Sequence, residues 1–299
     1  MAFTGKDVMA LRERTGAGIM DCKKALTDAD GDMNKAADLL RERGIAKAEK
    51  KASRIAAEGI VACYIEGNVG VMVELNCETD FVAKNPQFLE TATEVAKVVA
   101  SENPASVEAL LDCACQGATV ADFLKSKIAI IGEKIAVRRF ERFVSNGFLQ
   151  SYIHLGGKLG VMLDACGEGD AAKEAAHDVT LQIAFTKPAY LCKEEVPADV
   201  VAHEKEVLVA QIKNDEKLAN KPAQVIEKMV EGRIKKFFEE SCLLEQAFIK
   251  DDSKKVADLL KGAGVSVNKF AFYVMGEGLE KKSEDLSEEV AKQVAAMQK

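Results

Sequence analysis

The chain has 299 residues, of which 48% are hydrophobic and 30% are charged. This balance excludes a disordered chain, and the length predicts two domains that bury enough surface to fold without metal or disulfide cross-links. Acidic residues outnumber basic ones by 48 to 41 and there is no tryptophan, so we expect no broad binding of nucleic acid through charge or base stacking.

The sequence also bears on the compartment. No apolar run approaches the ~20 residues that cross a bilayer, and residues 1–7 lack the pattern of a secretory signal or a transit peptide. The eight cysteines include no C-x-x-C pair, which is typical of reduced thiols in the cytosol. We therefore expect a cytoplasmic protein that does not bind a membrane.

Residues 1–54 are predicted to form a small helical module with its linker. Thr4 and Asp7 have the spacing of a capping box at the start of a first helix. Apolar residues at helical spacing predict a second helix from Ile19 and a third from Met33, which we expect to stop near Gly44. The alanine-rich, basic stretch that follows is predicted to be a helical linker.

A β-hairpin is predicted next. Residues 59–66 and 69–77 have the composition of strands, and a Gly-Asn turn separates them. A helical pattern follows over residues 86–100, and a strand-like pattern returns at residues 134–140.

The hairpin then repeats. Residues 151–154 are similar to residues 63–66, and residues 159–164 are similar to residues 69–74. A helix is predicted after each hairpin, the second one over residues 171–185. This pattern predicts an internal duplication, in which two α+β subdomains each hold a small antiparallel sheet with helices on one face.

A helical insertion interrupts the second subdomain. Residues 200–214 and 224–237 are both amphipathic and a short connection joins them, which predicts an antiparallel coiled-coil arm. The chain returns to the second sheet through residues 270–274 and ends in a charged helix over residues 286–297.

The predicted fold class is therefore α+β. The expected units are a three-helix N-terminal module and linker (1–54), core subdomain N (55–140), core subdomain C (141–186 and 236–278), the coiled-coil insertion (187–235) and a C-terminal helical module (279–299).

No catalytic template fits the sequence. The three histidines, His154, His177 and His203, lie far apart, and no nucleophile elbow, phosphate-binding loop or metal-ligand spacing is present. We expect no catalytic residue, no metal and no cofactor, which favours a binding protein over an enzyme.

One segment between the first hairpin and its helix does not fit a buried pattern. Thr79, Asp80, Phe81 and Val82 follow a strand directly, so they should lie at the surface, yet two of them are large and apolar. Phe81 either packs back under its own loop or forms an apolar wedge, with a carboxylate beside it, for a pocket in a partner.

This segment, preceded by Asn-Cys-Glu, resembles the signature of the bacterial elongation factor Ts family. Further segments resemble other parts of that family in the same order, so that the resemblance covers essentially the whole chain: residues 11–26, 151–161, 227–233 and 243–246.

The resemblance implies a guanine-nucleotide exchange factor for the GTPase elongation factor Tu, with no bond chemistry of its own. Thr79, Asp80, Phe81 and Val82 would then be inserted beside the Mg²⁺ and nucleotide site of the GTPase, and the C-terminal helix would touch another part of it. A ubiquitin-associated-like N-terminal module would dock on the GTPase domain, and subdomain C would add a weaker contact. The residues implied for these two surfaces are Leu11, Arg12, Ile19 and Met20 in the module, and His154 in the subdomain.

The sequence departs from the family at one strand. Where the family often carries Arg and then Phe, this chain has Phe272 and Tyr273, so a charged contact with the partner at that strand is in question.

Several alternatives stay open at this stage. The module could serve a non-catalytic adaptor that binds other proteins, Cys77 could serve a thiol enzyme, and the arm could pair with a second copy in a homodimer. Asp80 could repel phosphates, compete for a metal-site group or cap the following turn. His154 could instead be a half-buried structural group.

Overall fold

A computed structural model describes residues 3–215, 218 and 221–279. The helix predicted over residues 286–297 lies outside the described residues. Among the helices that are described, none combines the length and the apolar character that a membrane span requires.

The chain begins with three helices, α1 (Gly5–Thr15), α2 (Ile19–Asp28) and α3 (Met33–Lys51). Thr4 and Asp7 form the predicted capping box at the start of α1. The inward faces of the helices share a small core built around Val8, Leu11 and Leu26.

The first half of the remaining chain holds a three-stranded antiparallel sheet in the order β1-β2-β5, with helices α5 and α7 on one face. The elements of this half are β1 (Glu58–Glu66), β2 (Val69–Cys77), α4 (Asp80–Ala83), α5 (Pro86–Glu102), α6 (Val107–Asp112), β3 (Ala114–Cys115), β4 (Ala118–Thr119), α7 (Val120–Ile131) and β5 (Ala136–Val144).

The second half holds another three-stranded antiparallel sheet, in the order β6-β7-β10, and its apolar core contains residues of α8 and α11. Helices α9 and α10 leave this half and pack on each other through an apolar seam around Ile212 and Ile234. The elements of this half are β6 (Phe148–His154), β7 (Leu159–Cys166), α8 (Gly169–Thr186), a 3-10 turn (Lys193–Glu195), α9 (Ala198–Asn214), α10 (Ala223–Ser241), a 3-10 turn (Leu243–Glu245), β8 (Ala247–Phe248), β9 (Asp251–Lys255), α11 (Val256–Gly262) and β10 (Ser266–Val274).

The two hairpins pair in matching register. Tyr64 lies opposite Val71 in the first hairpin, and Tyr152 lies opposite Val161 in the second. The similar sequences therefore occupy equivalent places in the two sheets, and in each sheet the second hairpin strand is the central one.

The sheets pack against each other through the faces that their helices leave free. Met72 of the first sheet and Met162 of the second both lie in this shared core. A Cβ atom on Gly70 would stand 2.9 Å from the Met162 sulfur, and one on Gly160 would stand 3.1 Å from the Met72 sulfur. Each glycine thus lies where the sheets approach closely, beside a methionine of the other sheet, so the glycine–methionine contacts are reciprocal.

One carboxylate is buried where the two halves meet. Glu74 of β2 has no exposed surface, and it accepts hydrogen bonds from Arg138 (2.9 Å), Arg139 (2.6 Å) and the Gly276 N–H (2.8 Å). Because Arg139 also donates to the Val274 carbonyl, this cluster ties β2 and β5 to the end of β10.

The sequence prediction missed helices α6, α7 and α11 and the short strands β3, β4, β8 and β9. Three further elements differ from it. The third helix does not stop near Gly44 but continues to Lys51, since Gly44 serves close packing: a Cβ atom there would stand 2.8 Å from that of Ala129 in α7. Helix α10 runs on to Ser241, beyond the predicted end of the insertion. The segment after β2 contains one helical turn, α4, where no regular element was expected.

Candidate partner-docking site

The turn that follows β2 is built by its own sequence. Thr79 has extended backbone angles and its hydroxyl accepts a hydrogen bond from the Val82 N–H at 3.3 Å, so it is the N-cap of α4. We call residues 79–83 the Phe81 turn.

The helical geometry of the Phe81 turn separates its two large apolar side chains. The Phe81 side chain is 81% exposed, whereas Val82 is half-buried against the core of the first sheet and Ala83 is buried. The ring therefore does not pack under its own loop. Val82, which was predicted to face a partner, mainly holds the turn on the sheet.

Asp80 stands beside Phe81 and faces solvent. Its carboxylate accepts a hydrogen bond from the Lys84 ammonium at 2.8 Å, and this bond, with the charges of Lys84 and Lys158, lowers the pKa of Asp80. Since Thr79 is the N-cap, the alternative in which Asp80 caps the turn is wrong. A carboxyl with a lowered pKa is ionised at neutral pH, so the exposed ring has the Asp80–Lys84 ion pair next to it.

Two carboxylates brace the base of the Phe81 turn. Glu133 accepts hydrogen bonds from the Glu78 N–H (3.0 Å), the Thr79 N–H (2.9 Å) and the Thr79 hydroxyl (2.6 Å). In return, Glu78 accepts the Lys134 N–H at 2.7 Å. Glu133 was not singled out in the sequence, because it is 54 residues away from Thr79 along the chain.

The turn of the second hairpin lies on the same edge of the molecule. The Val61 N–H donates to the Gly157 carbonyl at 2.7 Å, and Lys158 pairs with Glu58, the residue that faces Cys77 across the first hairpin. The charge of Lys158 reaches Asp80. The structure therefore places Gly157 and Lys158, at the end of the second hairpin turn, against β1 beside the strand that leads into the Phe81 turn.

This second turn presents an imidazole and an apolar side chain. His154 is exposed, so the alternative of a half-buried structural histidine is wrong, and its Nδ1 lies 2.7 Å from the Tyr152 hydroxyl. Leu155 is 73% exposed with a φ of 48°. Leu155 was not predicted from the sequence, although an apolar residue in a glycine-rich turn is a signal for an exposed contact.

The N-terminal module supplies a further apolar surface. Met20 is 74% exposed, and Ile19 and Arg12 are also exposed. Leu11 has no exposed surface and lies in the module's core. The prediction that Leu11 contacts a partner is corrected accordingly: its position on the inward face of α1 makes it a packing residue.

The module is tied to the Phe81 turn through its linker. The Arg54 guanidinium lies 3.2 Å from the Glu78 carboxylate, and the Lys134 ammonium donates to the Arg54 carbonyl at 2.9 Å. The Lys51 ammonium also donates to the Gly132 carbonyl. The N-terminal module and the Phe81 turn, which were predicted as separate contact surfaces, are thus joined by polar contacts.

The thiol next to the turn is not arranged for chemistry. Cys77 is fully buried, and burial, with the nearby Glu133 charge, raises the pKa of its thiol to about 12. It stays protonated and shielded at neutral pH, so the thiol-enzyme alternative is wrong. Within the described part of the chain, no group of three or more His, Cys, Asp or Glu side chains is placed to hold a metal ion.

Comparison with known proteins gives one consistent family. A family model described as "Elongation factor TS" matches residues 78–277. The elongation factor Ts of Clostridium perfringens (strain 13 / Type A) is 48% identical over 302 residues, which cover 97% of this chain and 98% of that protein. The elongation factor Ts of Cupriavidus taiwanensis is 47% identical over 298 residues, which cover 100% of this chain and 99% of that protein.

This chain belongs to the elongation factor Ts family. It is therefore a translation elongation factor. The family match begins at Glu78, the first residue of the brace, and ends at Glu277, beside the Glu74 cluster. The N-terminal module lies before that match, but the relatives align with nearly the whole chain and so include it.

The two residues that depart from the elongation factor Ts pattern, Phe272 and Tyr273, make contacts inside this chain. Phe272 packs on the core of the second sheet. The Arg139 guanidinium lies 4.0 Å from the centroid of the Tyr273 ring, and burial raises the pKa of Tyr273 to about 12. Both side chains thus serve internal packing, and the arginine at this place comes from β5.

Proposed function

We propose that this chain is a guanine-nucleotide exchange factor for the GTPase elongation factor Tu. The observation that carries the proposal is the exposure of Phe81. This large aromatic residue is 81% exposed on a turn whose backbone is held by Glu133. An exposed ring on a fixed turn is suited to enter a pocket of another protein, because little conformational freedom is lost on binding.

The mechanism follows from what a bound nucleotide needs. In GTPases, Mg²⁺ bridges the phosphates and neutralises their charge. Phe81 would enter beside this site and displace the groups around the metal, while ionised Asp80 would repel the phosphates or compete for a metal-site group. Either effect weakens GDP binding without making or breaking a covalent bond, so the chain needs no catalytic residue or cofactor.

The coupling must be reciprocal. If this chain lowers the affinity of the GTPase for GDP, GDP lowers the affinity of the GTPase for this chain by the same factor. The chain therefore acts by binding the nucleotide-free state more tightly than the nucleotide-bound state.

Two further surfaces would hold the partner in register. We assign Arg12, Ile19 and Met20 of the ubiquitin-associated-like module to contacts with the GTPase domain. His154, on the second hairpin turn, would touch another part of the partner. Because the Arg54–Glu78 contact joins the module to the Phe81 turn, both would meet the GTPase together.

The proposed organisation is a duplicated core between accessory units. The equal registers of the two hairpins and the reciprocal glycine–methionine contacts support two duplicated subdomains. The predicted boundary at residue 140 moves to the end of β5 at Val144, because that strand pairs with β2 along its whole length. The paired helices α9 and α10 support a coiled-coil insertion in the second subdomain.

The test is the release of a fluorescent GDP analogue from purified elongation factor Tu. We expect this chain to accelerate release in a saturable manner, and we expect excess GDP with Mg²⁺ to dissociate the complex of the two proteins. An adaptor would form a complex that is insensitive to nucleotide and would leave the release rate unchanged. That outcome would contradict the proposal.

A further inference from the structure

We propose that Glu133 is the positioning residue of the Phe81 turn, and that its carboxylate sets the direction in which the Phe81 ring is presented. The inference rests on the proposed exchange function for its consequence, although the contacts themselves do not depend on it. Glu133 would not contact the partner itself and would affect binding only by holding the Phe81 turn in place.

The Phe81 turn cannot hold itself in place. Helix α4 has only four residues. Besides the bond from the Ala83 N–H to the Thr79 carbonyl at 3.2 Å, its only closing backbone bonds among the described residues come from Lys84 and Asn85, the two residues that follow it. A single helical turn is unfavourable on its own, because fixing its dihedral angles costs more than one hydrogen bond returns. External contacts must therefore supply the stability of the turn.

Glu133 supplies three such contacts at the point where β2 becomes α4. One carboxylate oxygen accepts the consecutive N–H groups of Glu78 and Thr79, and the other accepts the Thr79 hydroxyl. Hydrogen bonds to an ionised acceptor are about twice as strong as neutral ones. The same carboxylate thus fixes both the backbone before the turn and the side chain that caps it.

Glu133 is itself held by a rigid element. It follows Gly132, which ends α7 with a left-handed φ of 88°, and the next residue, Lys134, donates its N–H to Glu78. The two segments therefore exchange carboxylate contacts in both directions. A displacement of the Phe81 turn would have to break both sets.

Phe81 is the side chain that depends most on this brace. Because its ring is largely free of contacts with its own protein, its direction is set by the backbone of the turn. Without Glu133 the ring would still be present but would spend less time in the binding orientation, which weakens binding.

The experiment compares full-length variants in the GDP-release assay below saturation. We expect Glu133→Ala to slow stimulated release about tenfold. Glu133→Gln should stay within about threefold of wild type, since an amide oxygen still accepts both N–H groups and its NH₂ can donate to the Thr79 hydroxyl. Glu133→Asp keeps the charge but loses reach, so it should behave like Glu133→Ala.

A double variant separates positioning from an independent contact. If Glu133 acts through Phe81, the Glu133→Ala/Phe81→Ala double variant should stimulate GDP release at a rate within about twofold of that given by Phe81→Ala alone. Effects that multiply would overturn the inference. So would a Glu133→Ala chain that matches wild type while Phe81→Ala is impaired.

Hydrogen exchange supplies a readout that does not need the partner. The Glu78 and Thr79 amides should exchange at least tenfold faster in Glu133→Ala than in wild type, and Glu133→Gln should protect them. Unchanged exchange would overturn the inference. If the wild-type chain does not accelerate GDP release from elongation factor Tu, the proposed function fails. The hydrogen-exchange measurement still decides whether Glu133 holds the turn.

Discussion

At the scale of single residues, the candidate site depends on which side chains a helical turn directs outward. Phe81 and Val82 are adjacent in the chain, but only Phe81 is exposed, because Val82 packs on the first-sheet core. Leu11 and Met20 differ in the same way, since one lies inside the module and the other outside. Residue type alone did not distinguish these pairs.

The Phe81→Ala variant should slow stimulated GDP release at least tenfold. Buried aromatic anchors at interfaces contribute about 2 kcal/mol or more, and about 1.4 kcal/mol corresponds to tenfold in affinity. The fold should be unaffected because the ring is largely exposed and packs little on its own chain, which a thermal melt would check.

The matched control is Phe185→Ala. Phe185 is 76% exposed on α8, in the other half of the core. The Phe185→Ala variant should stimulate GDP release at the same rate as the wild-type chain. An equal loss in both variants would show that any exposed phenylalanine has this effect and that Phe81 has no special role.

At the scale of elements, most helices and strands were predictable from periodicity. Both hairpins, helix α5 and helix α8 lie close to their predicted places, because each buries one regular face. Helix α3 was predicted to stop at Gly44, since glycine often ends helices. Here Gly44 is buried under α7, and this depends on a contact that no local pattern contains.

The same limit applied to the candidate site. The sequence pointed to the Phe81 turn, because two large apolar residues followed a strand without a period to bury them. It could not point to Glu133 or Glu78 as a brace, because their contacts join segments that are distant in the chain. The helical spacing of Val8 and Leu11 indicates that both face inward, whereas the family resemblance implied a partner contact for Leu11.

Two mid-helix glycines make a matched pair. Gly44→Ala should lower the free energy of unfolding by about 1–2 kcal/mol, because overpacking against the rigid Ala129 outweighs the gain in helix propensity. Gly232→Ala in α10 should raise it by about 0.5–1 kcal/mol, since a Cβ there meets no atom within 4 Å. Urea denaturation would measure both, and the same sign for both would contradict the packing role of Gly44.

At the scale of the whole molecule, the two sheets meet across a largely apolar core, in which the carboxylate of Glu74 is fully buried. Burial raises the pKa of Glu74, but hydrogen bonds from the Gly276 N–H and the two arginines outweigh it, so the pKa lies below its ordinary value of 4.5. The carboxylate therefore stabilises the contact between the halves in its ionised form.

Replacing this carboxylate should destabilise the chain in a pH-dependent way. Glu74→Gln should lower the free energy of unfolding by about 3 kcal/mol at pH 7, since it breaks a buried ion pair. Because the folded pKa is lowered, this contribution is complete above the unfolded pKa and is lost as pH falls through the folded value. The difference from wild type should be constant above about pH 5 and shrink in stronger acid.

Glu277→Gln is the control in the same cluster. Glu277 is largely exposed and lies 3.6 Å from Arg139, so its replacement should cost less than about 1 kcal/mol. Denaturation curves recorded from pH 7 to pH 3 would compare the two. A Glu74→Gln difference that grows in acid would contradict the assigned sign.

The reciprocal contacts between Gly70 and Met162 and between Gly160 and Met72 bear on how the chain is made. During synthesis, the first sheet leaves the ribosome with its inner methionine face exposed to water. β6 and β7 cover part of that face, and the cover is complete only when residues 271–275 have followed. The nascent chain thus exposes an apolar surface while the covering residues are translated, and a chaperone would bind that surface during this time.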